Sequence, residues 1–530
     1  MSDIVWGVFS VNLIRTKAPF LRLYSTIALL TLLSIGNYSV WSQTTPFPPS
    51  VRRWMKYEQF QNDRVVYDGS NMAPIDVSAV TPYYLPESAH YFPLRSIWVP
   101  ASVANSYHVP HPPQGASTST HYRAVMTRRH AGRDYVRFLV HPQSEQLYHD
   151  LLAAQTPTSR QLGLFDGDPL EGTPTSSIRT LLVRRPSQPD QPLFFVKLSL
   201  DATISGLNRT ITGNEVVSSI GQYAYWQALE PLLKSPLMAI PEVLSFIPAQ
   251  SDQGGQIIRL IPPDVQAGRT TLIPLFSLHH RENAHGEMLV QQLARAHSIR
   301  PEQFVVRYII KPFIQAWTRW VLLANLTFEG HAQNLLLEAQ PNLSDFGGAL
   351  RATGRLFIRD LDSLSINTID PIFLPQARDI LRSLPMRTNF ATDYDQSPQQ
   401  VLEAERTTVI FMIAYLRFLD TQLELPLRKL RGSSGRFHGT LVRAFYTVVT
   451  RELEQVARMM TQEPRDPLSV GNDGVTHAAL SKEPIFIPSP GALADMPEAI
   501  PVVLNSIRHR VNRPTHRSFT DLCSDTLTKK

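Results

Sequence analysis

The stretch RTLLVRRPSQPDQPLFFVKLSL, residues 179–200, contains two short apolar runs separated by a polar segment. The runs, residues 181–184 and 193–200, have the length and apolar content of strands in a buried sheet. The separator, residues 185–192, is rich in proline and polar side chains, which favour a loop. The stretch therefore predicts a β-hairpin near the centre of the chain.

The segments around this hairpin have a mixed pattern. Residues 214–230 carry apolar side chains at helical spacing, and Thr212 is placed to cap that helix. Residues 257–261 form another apolar run typical of a strand. Residues 108–120 and 166–176 are rich in Pro, Gly, Ser and Thr, and this composition predicts loops.

The second half of the chain begins with a long helical pattern. Residues 302–326 are predicted to form a helix that begins after Pro301 and bends at Pro312, because proline cannot donate the helical hydrogen bond. Residues 334–338 and 355–359 then predict two further strands.

Helices are predicted to dominate the C-terminal part. Residues 401–423 and 441–460 are strongly amphipathic, whereas residues 483–501 are rich in proline and are predicted to run over the surface. The whole pattern predicts an α+β fold with a mainly helical C-terminal region. We divide it into an N-terminal region, a central β-containing region and a third region that is mainly helical after residue 371, with bounds 1–150, 151–300 and 301–530.

Composition limits the classes of partner. The 530 residues include 51 basic and 45 acidic side chains, for a net charge of +6, and no basic block is present. This small net positive charge predicts no nucleic-acid partner, but it is compatible with an anionic small-molecule ligand. Cys523 is the only cysteine, which excludes an intrachain disulfide and fits a reducing, cytoplasmic location.

The apolar run IALLTLLSI, residues 27–35, is the one segment that resembles a targeting signal. It is far shorter than the roughly 20 apolar residues that span a bilayer, and no clean cleavage site follows it. We therefore interpret it as a buried amphipathic helix rather than an export signal, and we expect no membrane partner.

Two groups of polar residues could carry chemistry. The first comprises SSIRT, residues 176–180, with Lys197 and Arg209, whose hydroxyls and cations can bind phosphate or carboxylate oxygens. The second comprises EGHAQN, residues 329–334, with Asp360 at the end of a strand. Carboxylate and amide oxygens of this second group suit Mg²⁺. An exposed basic hairpin and a solvated loop are the alternative structural interpretations.

A third candidate is His141, which follows the strand-like residues 135–140. A histidine at a strand end is more often structural than functional. No Walker-type phosphate loop, HExxH, GxSxG or dinucleotide-binding pattern is present in the sequence, so nucleotide binding would need a different framework.

Taken in order, these segments resemble the IucA/IucC family, the NRPS-independent siderophore synthetases. The resemblance rests on five segments, namely SSIRT at 176–180, KLSLDATISGLNR at 197–209, EGHAQNLLLE at 329–338, RLFIRDLD at 355–362 and a weaker VHP at 140–142. It implies a thumb, fingers and palm around a central ATP cleft. It also implies an ATP- and Mg²⁺-dependent ligase that adenylates a carboxylate such as citrate and condenses it with a polyamine, amino acid or amino alcohol. A homodimer would be consistent with the same resemblance.

The resemblance also implies roles for individual residues. The nucleotide-binding residues would be Ser177, Arg179, Thr180, Lys197 and Gln333. The Mg²⁺ ligands would be Glu329, Asn334 and Asp360. The substrate-facing residues would be Arg209, His331 and His141. Lys197, Arg209 and His331 would be catalytic.

Two departures from the family pattern keep other functions open. Gln143 and Ser144 replace the tryptophan and glutamine expected after His141-Pro142, and residues 361–363 replace an aromatic residue and glycines. A kinase-like phosphotransferase could use the same lysine, H-x-x-N element and aspartate, although it would lack the usual catalytic base. A non-catalytic binding relative is the third interpretation.

Overall fold

In the computed structural model, the described residues are 49–60, 65–68, 71–74, 76–110, 119–153, 169–204, 206–281, 286–341, 349–366, 376–377, 379–380, 398–431, 439–462, 500 and 504. All of them lie in one of the two units into which the chain divides, Phe47–Lys530. The apolar run 27–35 and almost all of residues 483–501 lie outside the described residues. None of the described helices is both long and apolar enough to cross a membrane.

The described strands form a large antiparallel sheet, a second smaller sheet and three two-stranded pairs. The strands are β1 Val65–Asp68, β2 Asn71–Pro74, β3 Phe92–Pro100, β4 Ala104–His108, β5 Thr127–His130, β6 Arg133–Val140, β7 Leu170–Pro174, β8 Thr180–Arg185, β9 Gln188–Leu198, β10 Leu200–Ile204, β11 Leu207–Arg209, β12 Leu237–Ala239, β13 Glu242–Pro248, β14 Gln256–Arg259, β15 Thr271–Pro274, β16 Leu326–Thr327, β17 Leu335–Pro341, β18 Leu350–Ile358 and β19 Ser365–Ile366. The large sheet has the order β4-β13-β14-β9-β8-β7-β3-β6-β5, and the smaller one has the order β12-β18-β17-β15.

Helices flank these sheets and form the described C-terminal part, so the mixed helix-and-sheet class is confirmed. They are α1 Pro49–Glu58, α2 Ser119–Met126, α3 Glu145–Ala153, α4 Gly213–Leu233, α5 Pro263–Gln266, α6 Leu289–Ala296, α7 Pro301–Val305, α8 Lys311–Ala324, α9 Pro398–Arg431 and α10 Thr440–Gln462. The large sheet takes strands from both sides of residue 150, and the predicted domain bounds stay a prediction.

Local sequence signals account for the helix starts and irregularities. Thr212 and Glu215 form a reciprocal capping box at the start of α4, as the position of Thr212 predicts. The predicted helix after Pro301 is interrupted by a π-helical turn, Val306–Ile310, immediately before α8. Because Pro312 lacks an N–H and its ring crowds the preceding turn, a wider turn at this point relieves the conflict.

The predicted hairpin is confirmed as β8 and β9, which pair antiparallel with Thr180 opposite Lys197. Its loop is shorter than the predicted residues 185–192, because β8 ends at Arg185 and β9 begins at Gln188. The prediction of a loop over residues 166–176 is wrong in part, because β7 occupies Leu170–Pro174 between β3 and β8. Gly172 permits this close packing, since a Cβ there would lie 3.0 Å from a methyl carbon of Leu181. Burial between two strands outweighs the turn-like composition.

Strand ends bring distant parts of the sequence together. The antiparallel pair β17–β18 joins Leu335 to Ile358, so the residues just before β17 lie beside those just after β18. In the large sheet, β14 pairs with β9 and places Ile257 opposite Lys197. The two sheets therefore present their polar ends to a common region.

Candidate active site

A cavity of about 310 Å³ lies where these strand ends meet. It is lined by all the predicted site residues except Thr180 and His141, together with residues that the sequence did not single out. The predicted residues in its wall are Ser177, Arg179, Lys197, Arg209, Glu329, His331, Gln333, Asn334 and Asp360. The structure therefore brings the two predicted polar groups, more than 100 residues apart in sequence, into one site.

Thr180 and His141 are placed differently. Thr180 is buried beside Lys197 in the β8–β9 pair. His141 is fully buried, packs edge-on against Tyr84 and Phe92, and accepts a hydrogen bond at Nδ1 from the Gln143 backbone. Burial lowers the pKa of His141 to about 4, so this imidazole is neutral at pH 7.

Lys197 lies at the centre of a buried ion network. Its Nζ donates to both carboxylate oxygens of Asp362, at 2.8 and 3.0 Å, and lies 3.4 Å from Asp360 Oδ1. Arg259 pairs with Asp360 and, at 2.6 Å, with the fully buried Glu242. Burial alone would raise the pKa of Asp360, but Arg259, Lys197 and Arg359 lower it well below the usual range.

A second network, which sequence reasoning missed, holds the SSIRT loop. Glu58 at the end of α1 is fully buried and accepts hydrogen bonds from Arg359 at 2.6 Å and from the Ser176 hydroxyl at 2.8 Å. Arg359 also donates to the Gln333 carbonyl at 2.9 Å. The network thus ties both motif loops to one helix. The only local sequence signal for this role of Glu58 is its position four residues after Trp54, on the apolar face of α1.

The EGHAQN loop fixes the tautomer of His331. Its Nδ1 accepts from the backbone N–H groups of Gln333 and Asn334, at 3.2 and 3.3 Å. The imidazole proton is therefore assigned to Nε2, which lies 3.8 Å from a Glu329 oxygen. Burial lowers the pKa of His331 to about 4, which leaves a neutral hydrogen-bond donor at the cavity wall.

Glu329 is a carboxyl group in a negative environment. Its side chain is 49% exposed, yet surrounding protein together with Asp360 and Asp362 raises its pKa to about 7. The wall of the cavity removes part of the hydration of this carboxyl group, although half of the side chain is exposed.

Replacing Glu329 with glutamine tests this shift. Between the ordinary value of 4.5 and about 7, the folded carboxyl holds a proton that the unfolded one releases, so wild-type stability falls as pH rises through this window. The free energy of unfolding of Glu329→Gln minus that of the wild type should therefore rise across the window, by about 1 kcal/mol after discounting for exposure. Urea unfolding from pH 4 to 8 measures it, and a pH-independent difference would contradict the shift.

Two cavity residues have left-handed backbone conformations. Ile178 has φ of 65° and Asp360 has φ of 61°. This region costs a β-branched residue such as isoleucine about 1–3 kcal/mol, so the surrounding structure must hold it. The buried Ile178 side chain packs with Leu200 and Ile204 and supplies that support. This packing holds the SSIRT loop in its strained conformation.

Hard oxygen ligands gather around Asp360. Carboxylate oxygens of Glu242, Asp360 and Asp362 lie within 4.8 Å of one another. Asn334, which also lines the cavity, is 2% exposed, and its Oδ1 has no hydrogen-bond partner among the described residues. A buried amide oxygen without such a partner, in the cavity that Asp360 and Asp362 also line, fits a hard divalent cation such as Mg²⁺.

Part of the chain is similar to known proteins. Residues 79–233 match the sequence model of the IucA / IucC family. No curated protein matches the chain. Three similar solved structures are ATP-bound aerobactin synthetase IucA from Klebsiella pneumoniae, the petrobactin biosynthesis protein AsbB from Bacillus anthracis, and aerobactin synthetase IucC from K. pneumoniae.

The structural similarities are distant. IucA is 18% identical with a TM-score of 0.48, covering 70% of this chain and 64% of that one. AsbB is 16% identical with a TM-score of 0.47, covering 70% and 62%. IucC is 16% identical with a TM-score of 0.46, covering 71% and 65%. The match thus spans less than two thirds of each of these chains. The resemblance to the IucA / IucC family that the motifs predict is confirmed by the family model, over residues 79–233.

Proposed function

We propose that this chain is an ATP-dependent ligase of siderophore biosynthesis, which adenylates a citrate-type carboxylate and condenses it with an amine or hydroxyl. The observation that supports this most directly is the single cavity that joins the SSIRT, Lys197, Arg209, EGHAQN and Asp360 segments. A thumb, fingers and palm arrangement and a homodimer belong to the same proposal.

The first chemical step brings two anions together. A carboxylate oxygen attacks the α-phosphorus of ATP, pyrophosphate leaves, and an acyl-adenylate forms. Cations must offset the repulsion between the carboxylate and the polyphosphate. Arg179, Lys197 and Arg209 line the same cavity and can supply this charge. Ser177 adds a hydroxyl from the strained loop. Mg²⁺, held by Asp360 and Asn334 with Glu329, would add positive charge at the phosphates.

The second step transfers the acyl group. The amine or hydroxyl attacks the carbonyl carbon of the acyl-adenylate, AMP leaves, and the nucleophile loses a proton. His331 is neutral and offers an Nε2–H that can donate to a substrate oxygen. Three rings that sequence reasoning did not identify, Phe60, Phe276 and Phe411, form an apolar part of the wall that can exclude water from the intermediate.

Product analysis tests the proposal. The protein is incubated with ATP, Mg²⁺, citrate or another polycarboxylate, and a panel of polyamines and amino alcohols, and nucleotides are separated by chromatography. We expect AMP and pyrophosphate that depend on the acid. ADP would instead favour the kinase-like phosphotransferase. If neither product forms and ATP does not raise the melting temperature, the chain is not an ATP-dependent enzyme.

A further inference from the structure

Lys197 is not available to a ligand in the arrangement that the structure shows. Its side chain is 4% exposed, and its ammonium group contacts Asp362 through two hydrogen bonds and Asp360 at 3.4 Å. An ammonium group has three N–H donors, and two of those of Lys197 are already bonded to Asp362. We refer to Asp360 and Asp362 together as the carboxylate clamp.

The fold holds Asp362 in this position. It lies in a short 3-10 turn, Leu361–Ser363, in which the Ser363 hydroxyl donates to the Asp360 carbonyl at 2.7 Å. Leu361 is fully buried, and Gln222 of α4 donates to the carbonyl of Leu364 at 2.7 Å. The side chain of Asp362 is only 9% exposed, so its contact with Lys197 is part of the packed structure.

The clamp presents carboxylates to the cavity. Asp360 and Asp362 both line the cavity and both contact Lys197, whereas Arg259 lies between Asp360 and the buried Glu242. A polyphosphate that enters this region alone meets the two clamp carboxylates, and Lys197 is already paired with them. Charges in a partly buried site are screened weakly, so this repulsion is substantial.

We propose that Asp362 is a positioning residue that holds Lys197 in the carboxylate clamp, and that the clamp makes polyphosphate binding conditional on a divalent cation. The second half rests on the proposed function, because it assumes that ATP enters this cavity. With a divalent cation present, the clamp oxygens and Asn334 Oδ1 have a new partner, and the Lys197 ammonium can turn toward the phosphates.

Calorimetric titration of ATP, with excess EDTA and separately with excess Mg²⁺, tests the cation dependence. The wild type should bind metal-free ATP at least about tenfold more weakly than MgATP. Asp362→Asn should bind metal-free ATP about tenfold more tightly than the wild type, because Lys197 is released. Structural damage would weaken both forms of ATP. Asp150→Asn, at an exposed site outside the cavity, should match the wild type. Unchanged or weaker metal-free binding by Asp362→Asn would overturn the proposal.

A ligand-free experiment tests the clamp itself. Unfolding midpoints in urea are compared for Lys197→Met, Asp362→Asn and the double variant. If the two side chains interact as the structure shows, the double variant should lose less than the sum of the single losses. Additive losses would overturn the clamp. If neither metal-free ATP nor MgATP binds to any of the proteins, both the proposed function and the cation dependence fail. The comparison of the two single variants with the double variant then still tests the Lys197–Asp362 contact.

Discussion

Lys197→Met should slow acid-dependent ATP–pyrophosphate exchange by about 100- to 1,000-fold, because the variant lacks the ammonium group that stabilises charge at the phosphates. Exchange measures the appearance of label from pyrophosphate in ATP, which occurs when acyl-adenylate formation runs in reverse. Lys311→Met, at an exposed position on α8, is the matched control and should retain wild-type exchange.

This variant should also be less stable than the wild type. Removing Lys197 leaves Asp360 and Asp362 with one cation fewer, and breaking a buried ion pair typically costs about 3–5 kcal/mol. The double variant Lys197→Met with Asp362→Asn separates the two effects. It should regain part of the lost stability without regaining exchange. Recovery of exchange in the double variant would show that Lys197 acts only through the structure.

Arg259→Met should lower the free energy of unfolding by about 3–5 kcal/mol, because it leaves two carboxylates without their shared cation. Arg259 is 3% exposed and pairs with Glu242, which is fully buried, and with Asp360. Arg269→Met is the matched control, since the Arg269–Asp264 pair is well exposed and should contribute less than about 1 kcal/mol.

A rescue variant keeps this prediction testable if Arg259→Met folds poorly. Glu242→Gln combined with Arg259→Met removes one of the stranded charges and should recover part of the loss in urea unfolding. A loss below about 1 kcal/mol for Arg259→Met alone would contradict a structural role for this pair. A loss in the double variant equal to the sum of the losses of Glu242→Gln alone and Arg259→Met alone would show that Glu242 and Arg259 are not coupled.

Local signals predicted the elements that depend on near neighbours in sequence. The helix α4 follows from its apolar spacing and the cap at Thr212, and the β8–β9 hairpin follows from two apolar runs with prolines between them. The strand β7 was missed because its composition is that of a loop. The conformation of β7 is determined by its pairing with β3 on one side and β8 on the other.

The site was predictable only in part for the same physical reason. Lys197 and Asp360 could be named from the motif resemblance, and the cavity contains both. Glu58 could not, because its partner Arg359 is 301 residues away in sequence and no local pattern joins them. Asp362 was visible only as a departure from the family pattern. Its contact with Lys197 required the register of β9 and the turn after β18.

The most direct test of the proposed function is ATP–pyrophosphate exchange by the wild-type protein with citrate and Mg²⁺, in the absence of any amine. An adenylating ligase forms its acyl-adenylate before the nucleophile binds, so we predict exchange that requires the acid and is lost in Lys197→Met. Exchange that does not require a carboxylic acid, or its absence with every polycarboxylate despite ATP binding, would contradict the account.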